Sequence, residues 1–491
     1  MEFLLTQANP AKVICDTLAL FWAEGKQNGI AKEVDAASDG WLTQVAAEEG
    51  FKGKAGETLV LRTEGTLAAK RVLLVGCGPL KEQTEETVRV AAATALNAVK
   101  KTGGKLVIGL DALKDVEMGE AAKAAAEGVL LAGYRYGQFK TLEAEGPALV
   151  VLLVSDAKAL KQAKEGFVLG KLFAEATKAA RDLVNHPGGH LTPVELAKQA
   201  EALVAGKARI SFTSYDKVKL QEMGMGGLLG VGQGSDHDPV LVHMVYAPAK
   251  AKKRVALVGK AITFDSGGLS IKTSKGMETM KCDMAGAAAV IGAMSAVSAL
   301  KPDVEVHGIF GACENMVSGN SLRPGDVVKT MSGKTLEILN TDAEGRVTLA
   351  DTLHFATTLE PDYIIDLATL TGAVVVALGE EITGLMSNDP RLAAKVKAAS
   401  VEAGEKMWEL PLEPNYKFEL KSDVADYKND TSRNGMALTA GLLLQEFVAG
   451  TPWVHLDIAG PAFADRPLNA YTKKGGTGHA VRTLLTFLNA L

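Results

Sequence analysis

Short apolar runs alternate along the chain with longer stretches in which Ala, Glu and Lys share helical turns. Between about residues 58 and 155, "TLVLR", "RVLLVGCG", "KLVIGL" and "ALVVLLV" predict strands rich in Val and Leu. The segments between them, "EETVRVAAATALNAVKK" and "GEAAKAAAEGVLLAGYRYG", predict helices, so this part reads as a small α/β domain with a mainly parallel sheet. A further helical stretch from Gly166 to Asn185 stops at "HPGGHLTP", where Pro187 and the paired glycines break a helix. From about residue 194 the alternation resumes on a larger scale. Its strands are predicted at "RISFTSY", "PVLVHMVYA", "RVALVGKAITF", "VEVHGIFGA", "KTLEIL", "DYIIDLATL" and "WVHLDIAG". No internal repeat and no low-complexity tail interrupts the pattern. The expected organisation is an N-terminal α/β domain over 1–165, a linker helix and loop over 166–193, and a larger C-terminal α/β domain over 194–491.

Composition adds limits to this picture. A chain of 491 residues is too long for one core, which agrees with two domains. Its net charge of −5 argues against nucleic acid or an anionic membrane as the main partner, although a local basic groove is compatible with it. Cys15, Cys77, Cys282 and Cys313 are scattered, without a C-x-x-C pair, as expected of reduced thiols in a cytoplasmic protein. The N-terminus carries an acid at position 2 and no basic segment before an apolar one, so no signal peptide is expected. "MAGAAAVIGAMSAVSAL", Met284 to Leu300, falls short of the roughly 20 apolar residues of a spanning helix and is expected inside the protein.

Candidate chemistry gathers at two predicted strand ends, where open α/β sheets bind their ligands. The first, "KAITFDSGGLSIKTSKGMETMKCDMAG", supplies Lys260, Asp265, Lys272 and Asp283. The second, "LNTDAEGRVTLAD", supplies Asp342, Glu344 and Arg346. If it is extended, these three project to one side, and a helix starting near Gly345 turns free N–H groups toward an anion there. A single D-x-E at a helix start is usually a cap, and "DSGG" alone is usually a turn. Two acid-bearing strand ends together suit divalent cations, and four carboxylates are enough to bridge two.

Other signals are weaker. His186 and His190 are four apart, but Pro and Gly-Gly between them deny the helix that would align the rings, so a surface loop is expected. H-E-x-x-H, a complete G-x-G-x-x-G, a phosphate-binding G-x-x-x-x-G-K-[ST] and G-x-S-x-G are all missing from the sequence.

"NTDAEGR" is similar to the signature of the leucyl, or cytosol, aminopeptidases. "GVGQGS", "VGKAITFDSGGLSIK", "MKCDMAGAAAV", "DLATLTGA" and "HLDIAGPAF" resemble the same family, in its order. The resemblance is clear from about Ala180 to Leu491 and weak over the first 165 or so residues, where the family varies. It implies a smaller variable N-terminal α/β domain and a larger catalytic α/β domain whose central mixed sheet is flanked by helices.

The resemblance also implies a metal-dependent leucyl aminopeptidase that releases N-terminal residues, Leu or Met preferred, by a two-metal hydroxide mechanism. By resemblance, Asp265 and Glu344 bridge the ions, Asp342 completes the more loosely held site, and Lys260 and Asp283 complete the tighter one. Lys272 and Arg346 match the catalytic positions, and Met280, Thr369, Gly372 and Ala459 fall in segments lining the first-residue pocket. The implied cofactors are two divalent ions per subunit, Mn²⁺ or Zn²⁺ with Mg²⁺ a further candidate, and a bicarbonate near Arg346 as proton shuttle. Lys260 can ligate only as the neutral amine, so cations and burial are expected to depress its pKa, whereas Lys272 is expected to stay charged. The implied partners are peptide substrates and five further copies in a homohexamer, with no membrane. A DNA-binding second role, as in some bacterial members, and another two-metal hydrolase such as a phosphoesterase are the competing readings.

Overall fold

The computed structural model describes residues 1–491 except 26, 28, 112–115 and 142–145. Two compact units emerge, Met1–Glu175 with Pro467–Lys473, and Ala176–Arg466 with Lys474–Leu491. The division falls inside one long helix, Ala157–Asn185, which ends where Pro187 and its glycines follow.

The first unit is built on six strands: β1 (Glu2–Gln7), β2 (Thr17–Glu24), β3 (Thr58–Arg62), β4 (Arg71–Pro79), β5 (Lys105–Gly109) and β6 (Leu149–Val154). They are ordered β1-β6-β5-β2-β4-β3, and all neighbours are parallel except β3 against β4. The four strands expected from the apolar runs are β3 to β6. The other two are additions: "EFLLTQ" is a mostly exposed edge, and "TLALFWAE" is an apolar run that periodicity cannot tell from a helix segment. The Ala-rich sequences form the Glu85–Val99 and Met118–Ala132 helices, whose small side chains let them approach closely.

The second unit carries an eight-stranded mixed sheet. Its strands are β7 (Ile210–Tyr215), β8 (Val240–Tyr246), β9 (Arg254–Asp265), β10 (Glu305–Asn315), β13 (Tyr363–Ala368), β14 (Thr383–Ser387), β15 (Met407–Glu409) and β17 (Trp453–Asp457). A separate three-stranded sheet holds β11 (Val327–Lys329), β12 (Thr335–Glu337) and β16 (Tyr427–Lys428). The large sheet is ordered β15-β14-β17-β13-β9-β10-β8-β7, with β17, β13, β9 and β10 mutually parallel. Their carboxyl ends therefore fall on one edge, as the ligand-binding rule for open α/β sheets requires. The central strands are buried on both faces and correspondingly apolar, β9 reading "RVALVGKAITFD".

The Ala- and Gly-rich stretch expected inside the protein forms the Ala285–Leu300 helix, buried at nearly every position. With the turns before it, the helical run Ser274–Leu300 is long and apolar enough to cross a bilayer by composition, but it is mostly buried in this unit. Its small residues permit close approach: a Cβ on Gly286 would stand 2.0 Å from the Leu367 carbonyl oxygen. All four cysteines are buried and free.

Candidate metal centre

Each of the four parallel strands ends in a residue that builds one cluster. β9 carries Lys260 in its interior and Asp265 at its end, both buried. Asp265 Oδ1 accepts from the Gly267 N–H at 2.9 Å and from Asn315 Nδ2, at the end of β10, at 2.8 Å. Thr369 follows β13, and its hydroxyl donates to Asp283 Oδ1 at 2.6 Å. Asp457 ends β17, and its carboxylate accepts from the backbone N–H groups of Leu370 at 3.1 Å and Ala459 at 3.2 Å.

The second acid-bearing segment follows β12, which belongs to the small sheet, and it is not extended. Asn340 turns the chain: its side-chain oxygen accepts from the Asp342 N–H at 2.9 Å, and its carbonyl accepts from Ala343 N–H at 3.2 Å. A helix then begins at Glu344 and runs to Thr357. Asp342 is thus in a turn while Glu344 and Arg346 are helical, so the expected alternation onto one side does not occur. The acid in the first helical turn faces the positive end of the helix dipole.

Uncharged hydrogen bonds also stitch the two segments together. The Ser270 N–H donates to Thr341 Oγ1 at 2.8 Å, and Thr341 Oγ1 donates to the Gly267 carbonyl at 2.6 Å. Gly267 has φ +86°, and a Cβ there would meet Asp342 Oδ1 at 2.8 Å, so only glycine lets the loop pass this carboxylate. Asn429, fully buried, clamps the other side. It accepts from the Leu339 N–H at 2.8 Å, donates to the Asn340 carbonyl at 2.7 Å, and offers its own carbonyl to Arg346 Nη1 at 2.8 Å.

As a result Asp265, Asp342 and Glu344 each present a carboxylate oxygen within 4.8 Å of the others. Lys260 Nζ lies 2.8 Å from Asp283 Oδ1, 2.7 Å from Glu344 Oε1 and 2.9 Å from the Thr369 carbonyl. Lys272 Nζ lies 2.7 Å from Asp265 Oδ2 and also pairs with Asp342. Burial raises the pKa of Asp265, Asp283 and Asp342 above the usual carboxylate range despite these lysines. Asp283 Oδ2 is buried with no partner. Four close carboxylates outnumber the two lysines that face them, and they supply the hard oxygen donors that divalent cations take. The residues fit a divalent metal centre.

For Lys260 the structure departs from the expected depression. Burial does oppose its charge, but Asp283, Glu344 and Asp265 outweigh burial and raise its pKa. The neutral amine therefore requires that cations take over the neutralisation of those carboxylates. The Lys272 pKa is raised, which agrees with the expectation that it stays charged: burial opposes the charge, and Asp265 and Glu344 outweigh it. Arg346 is fully buried, with burial lowering its pKa against Asp430, Glu344 and Asp457.

The four pocket residues separate into two kinds. Thr369 is tied to the cluster through both Lys260 and Asp283, and Met280 opens the short helix that leads to Asp283. Gly372 is exposed, and Ala459 is half-buried and joined to the same edge by its N–H, which donates to Asp457 Oδ1 at 3.2 Å. His186 and His190 lie in the loop after the long helix, as expected, with His190 exposed and His186 buried; their ring centroids are 6.3 Å apart in a T-shaped contact. Asn315, Asn429 and Asp457 were not expected. Their signal is a polar residue closing an otherwise apolar strand, or following a short one.

A mixed α/β sheet with a carboxylate and lysine cluster at the ends of its parallel strands defines a metal-dependent hydrolase. Comparison with known proteins narrows the class. Residues 178–485 match the model of the cytosol aminopeptidase family, catalytic domain, and residues 18–143 match that family's N-terminal domain. The chain belongs to the cytosol aminopeptidase family and is a hydrolase of the aminopeptidase class. It is 44% identical to a probable cytosol aminopeptidase of Aquifex aeolicus, covering 96% of this chain and 95% of the relative. A probable cytosol aminopeptidase of Gloeobacter violaceus is 42% identical, with 100% of both chains covered. Among solved structures, the bottromycin maturation enzyme BotP in complex with Mn superposes with TM-score 0.86 at 38% identity, covering 97% of this chain and 99% of that one. A mutant of tomato leucine aminopeptidase gives TM-score 0.87 at 32% identity, covering 100% and 97%.

Proposed function

We propose that the protein releases N-terminal residues, preferably Leu- or Met-like, from peptides, using two divalent cations held by the cluster. The observation that carries this reading is the convergence of Asp265, Asp342 and Glu344 within 4.8 Å, beside Lys260 and Asp283. Asp265, Asp342 and Glu344, with Asp283 and Lys260 beside them, would hold the ions. Oxygen ligands suit Mn²⁺, Mg²⁺ and Zn²⁺ alike, and Mn²⁺ is the ion present with the similar enzyme BotP. Bound there, the ions would supply Lewis-acid polarisation of the scissile carbonyl, an acidified water and an anchor for the substrate's α-amine.

The chain's own groups do the rest. Lys272 reaches the cluster from the half-exposed side and keeps its charge, which suits it to stabilise the oxyanion of the attacked carbonyl. Arg346 would hold a bicarbonate as proton acceptor, aided by N–H groups at the start of the Glu344–Thr357 helix. Met280, Thr369, Gly372 and Ala459 would line the pocket for the first side chain. Because Thr369 also bonds Asp283 and Lys260, pocket and ligand cluster would be positioned by one loop. A homohexamer, taken from the family resemblance, is the proposed assembly.

The test is hydrolysis of a leucine anilide with Mn²⁺ added, beside a phosphodiester control. Metal-dependent release of leucine is expected. Phosphodiester cleavage without leucine release would overturn the reading.

A further inference from the structure

A second buried polar group lies on the large sheet, beneath the cluster. Asp366 of β13 and His455 of β17 are register partners, and His455 Nδ1 bonds Asp366 Oδ1 at 2.7 Å. Trp453 Nε1 donates to Asp366 Oδ2 at 2.6 Å. All three residues have 0% exposure. Both oxygens of an acceptor-only carboxylate are thus occupied, and the imidazole must present Nδ1–H to it. The other ring nitrogen, His455 Nε2, is buried and has no partner. Leaving such an atom unsatisfied carries a desolvation cost that an apolar residue in the same space would avoid.

A second unpartnered atom stands in the same region. Arg346 donates Nη1 to the Asn429 carbonyl, while its buried Nε has no partner. The strand register puts Val258, Asp366 and His455 in one row. Lys260, against which Gly345 beside Arg346 packs, stands two residues along β9 on the same face. His455 lies within electrostatic reach of both Arg346 and Asp457. Alternation along β17 puts Trp453, His455 and Asp457 on one sheet face, so the polar column runs from Asp366 toward the loops at the strand ends. Burial opposes an imidazolium at His455 and Asp366 favours it, but in either protonation state Nε2 has one direction left for a partner. An enclosed water between them would accept from the Arg346 Nε–H and either donate to or accept from His455 Nε2, satisfying both atoms.

We propose that Asp366 and His455 form a positioning dyad for Arg346, with His455 Nε2 and Arg346 Nε sharing one enclosed water that fixes the guanidinium beside Glu344. This rests on the reading that Arg346 serves the reaction. His455 touches no reacting atom and acts only through the arginine.

A double-mutant cycle tests it on the Mn²⁺-loaded enzyme, using steady-state hydrolysis of a leucine anilide and elemental analysis for metal content. His455→Phe is expected to lower kcat about 10–100-fold, with bound metal unchanged. KM should stay within about threefold, since no substrate contact is removed. His455→Gln, whose amide reaches the Nε2 position, should recover most of that loss. The decisive variant is His455→Phe combined with Arg346→Lys, which is expected to be no slower than Arg346→Lys alone. Multiplicative losses in the double variant would overturn the dyad's role while leaving that of Arg346 intact. Wild-type turnover by Arg346→Lys would instead overturn the reading beneath it. Should His455→Phe fail to fold, Asp366→Asn takes its place in the cycle, with the same non-additivity expected.

Discussion

Two lysines of like charge stand on the same carboxylates, and their surroundings separate their proposed roles. Lys260 is sealed inside β9 against Asp283 and Glu344, whereas Lys272 comes from a loop and remains partly exposed. Lys272→Ala should therefore retain metal and lose rate, by about 10²–10³-fold in kcat if it serves as an oxyanion donor. Metal loss in that variant, read by elemental analysis, would mean that it is a ligand. Glu344→Ala should remove a proposed ligand and abolish activity at any added metal concentration, and wild-type-like turnover would sink the two-metal assignment. The seven charged positions were legible in the sequence because they fall inside long specific motifs. Asp366 and His455 were not, although each interrupts an apolar strand ("YIIDLA", "WVHLD") with a residue that costs free energy to bury. Their partnership depends on β13 and β17 being neighbours, which about 90 residues of intervening chain hide.

Among the elements, the helix Glu344–Thr357 carries most of the argument. Gly345 lets it approach β9: a Cβ there would meet Lys260 Cε at 2.6 Å, and Lys260 is fixed by three partners. Gly345→Ala should cost about 1–3 kcal/mol by overpacking, seen in denaturant unfolding, and should weaken metal binding. Two turns on, Asp351 accepts from the backbone N–H groups of Leu228 at 2.9 Å and Met331 at 2.7 Å, which ties the helix to its surroundings. Burial pushes its pKa up to about 7. Folded protein then holds a proton that the unfolded chain releases near pH 4. Stability from this group is full below that pH and falls as pH rises to about 7, by at most about 1.4 kcal/mol per unit. Unfolding free energies of wild type and Asp351→Asn at pH 5 and pH 7.5 check the sign: the wild type should lose stability relative to the variant between them. The extended reading of "NTDAEGR" failed at this scale because Asn340 makes a turn that charge alternation does not reveal.

At the scale of the molecule, strand and helix alternation gave the α/β class of both units, since apolar runs of strand length separated by Ala-rich helices permit little else. β1, β11, β15 and β16 escaped because short, half-exposed segments carry weak periodicity. The second unit exposes the large apolar side chains of Val376, Trp408, Phe418 and Val424. Light scattering should give a mass six times that of the 51.5 kDa chain. Hydrolysis by paired cations in the carboxylate cluster is the proposal on which the rest depends. Its most direct test is titration of metal-free enzyme with Mn²⁺, following bound metal and leucine anilide turnover together. The account predicts that activity saturates at two ions per chain, and full activity with one ion or none would contradict it.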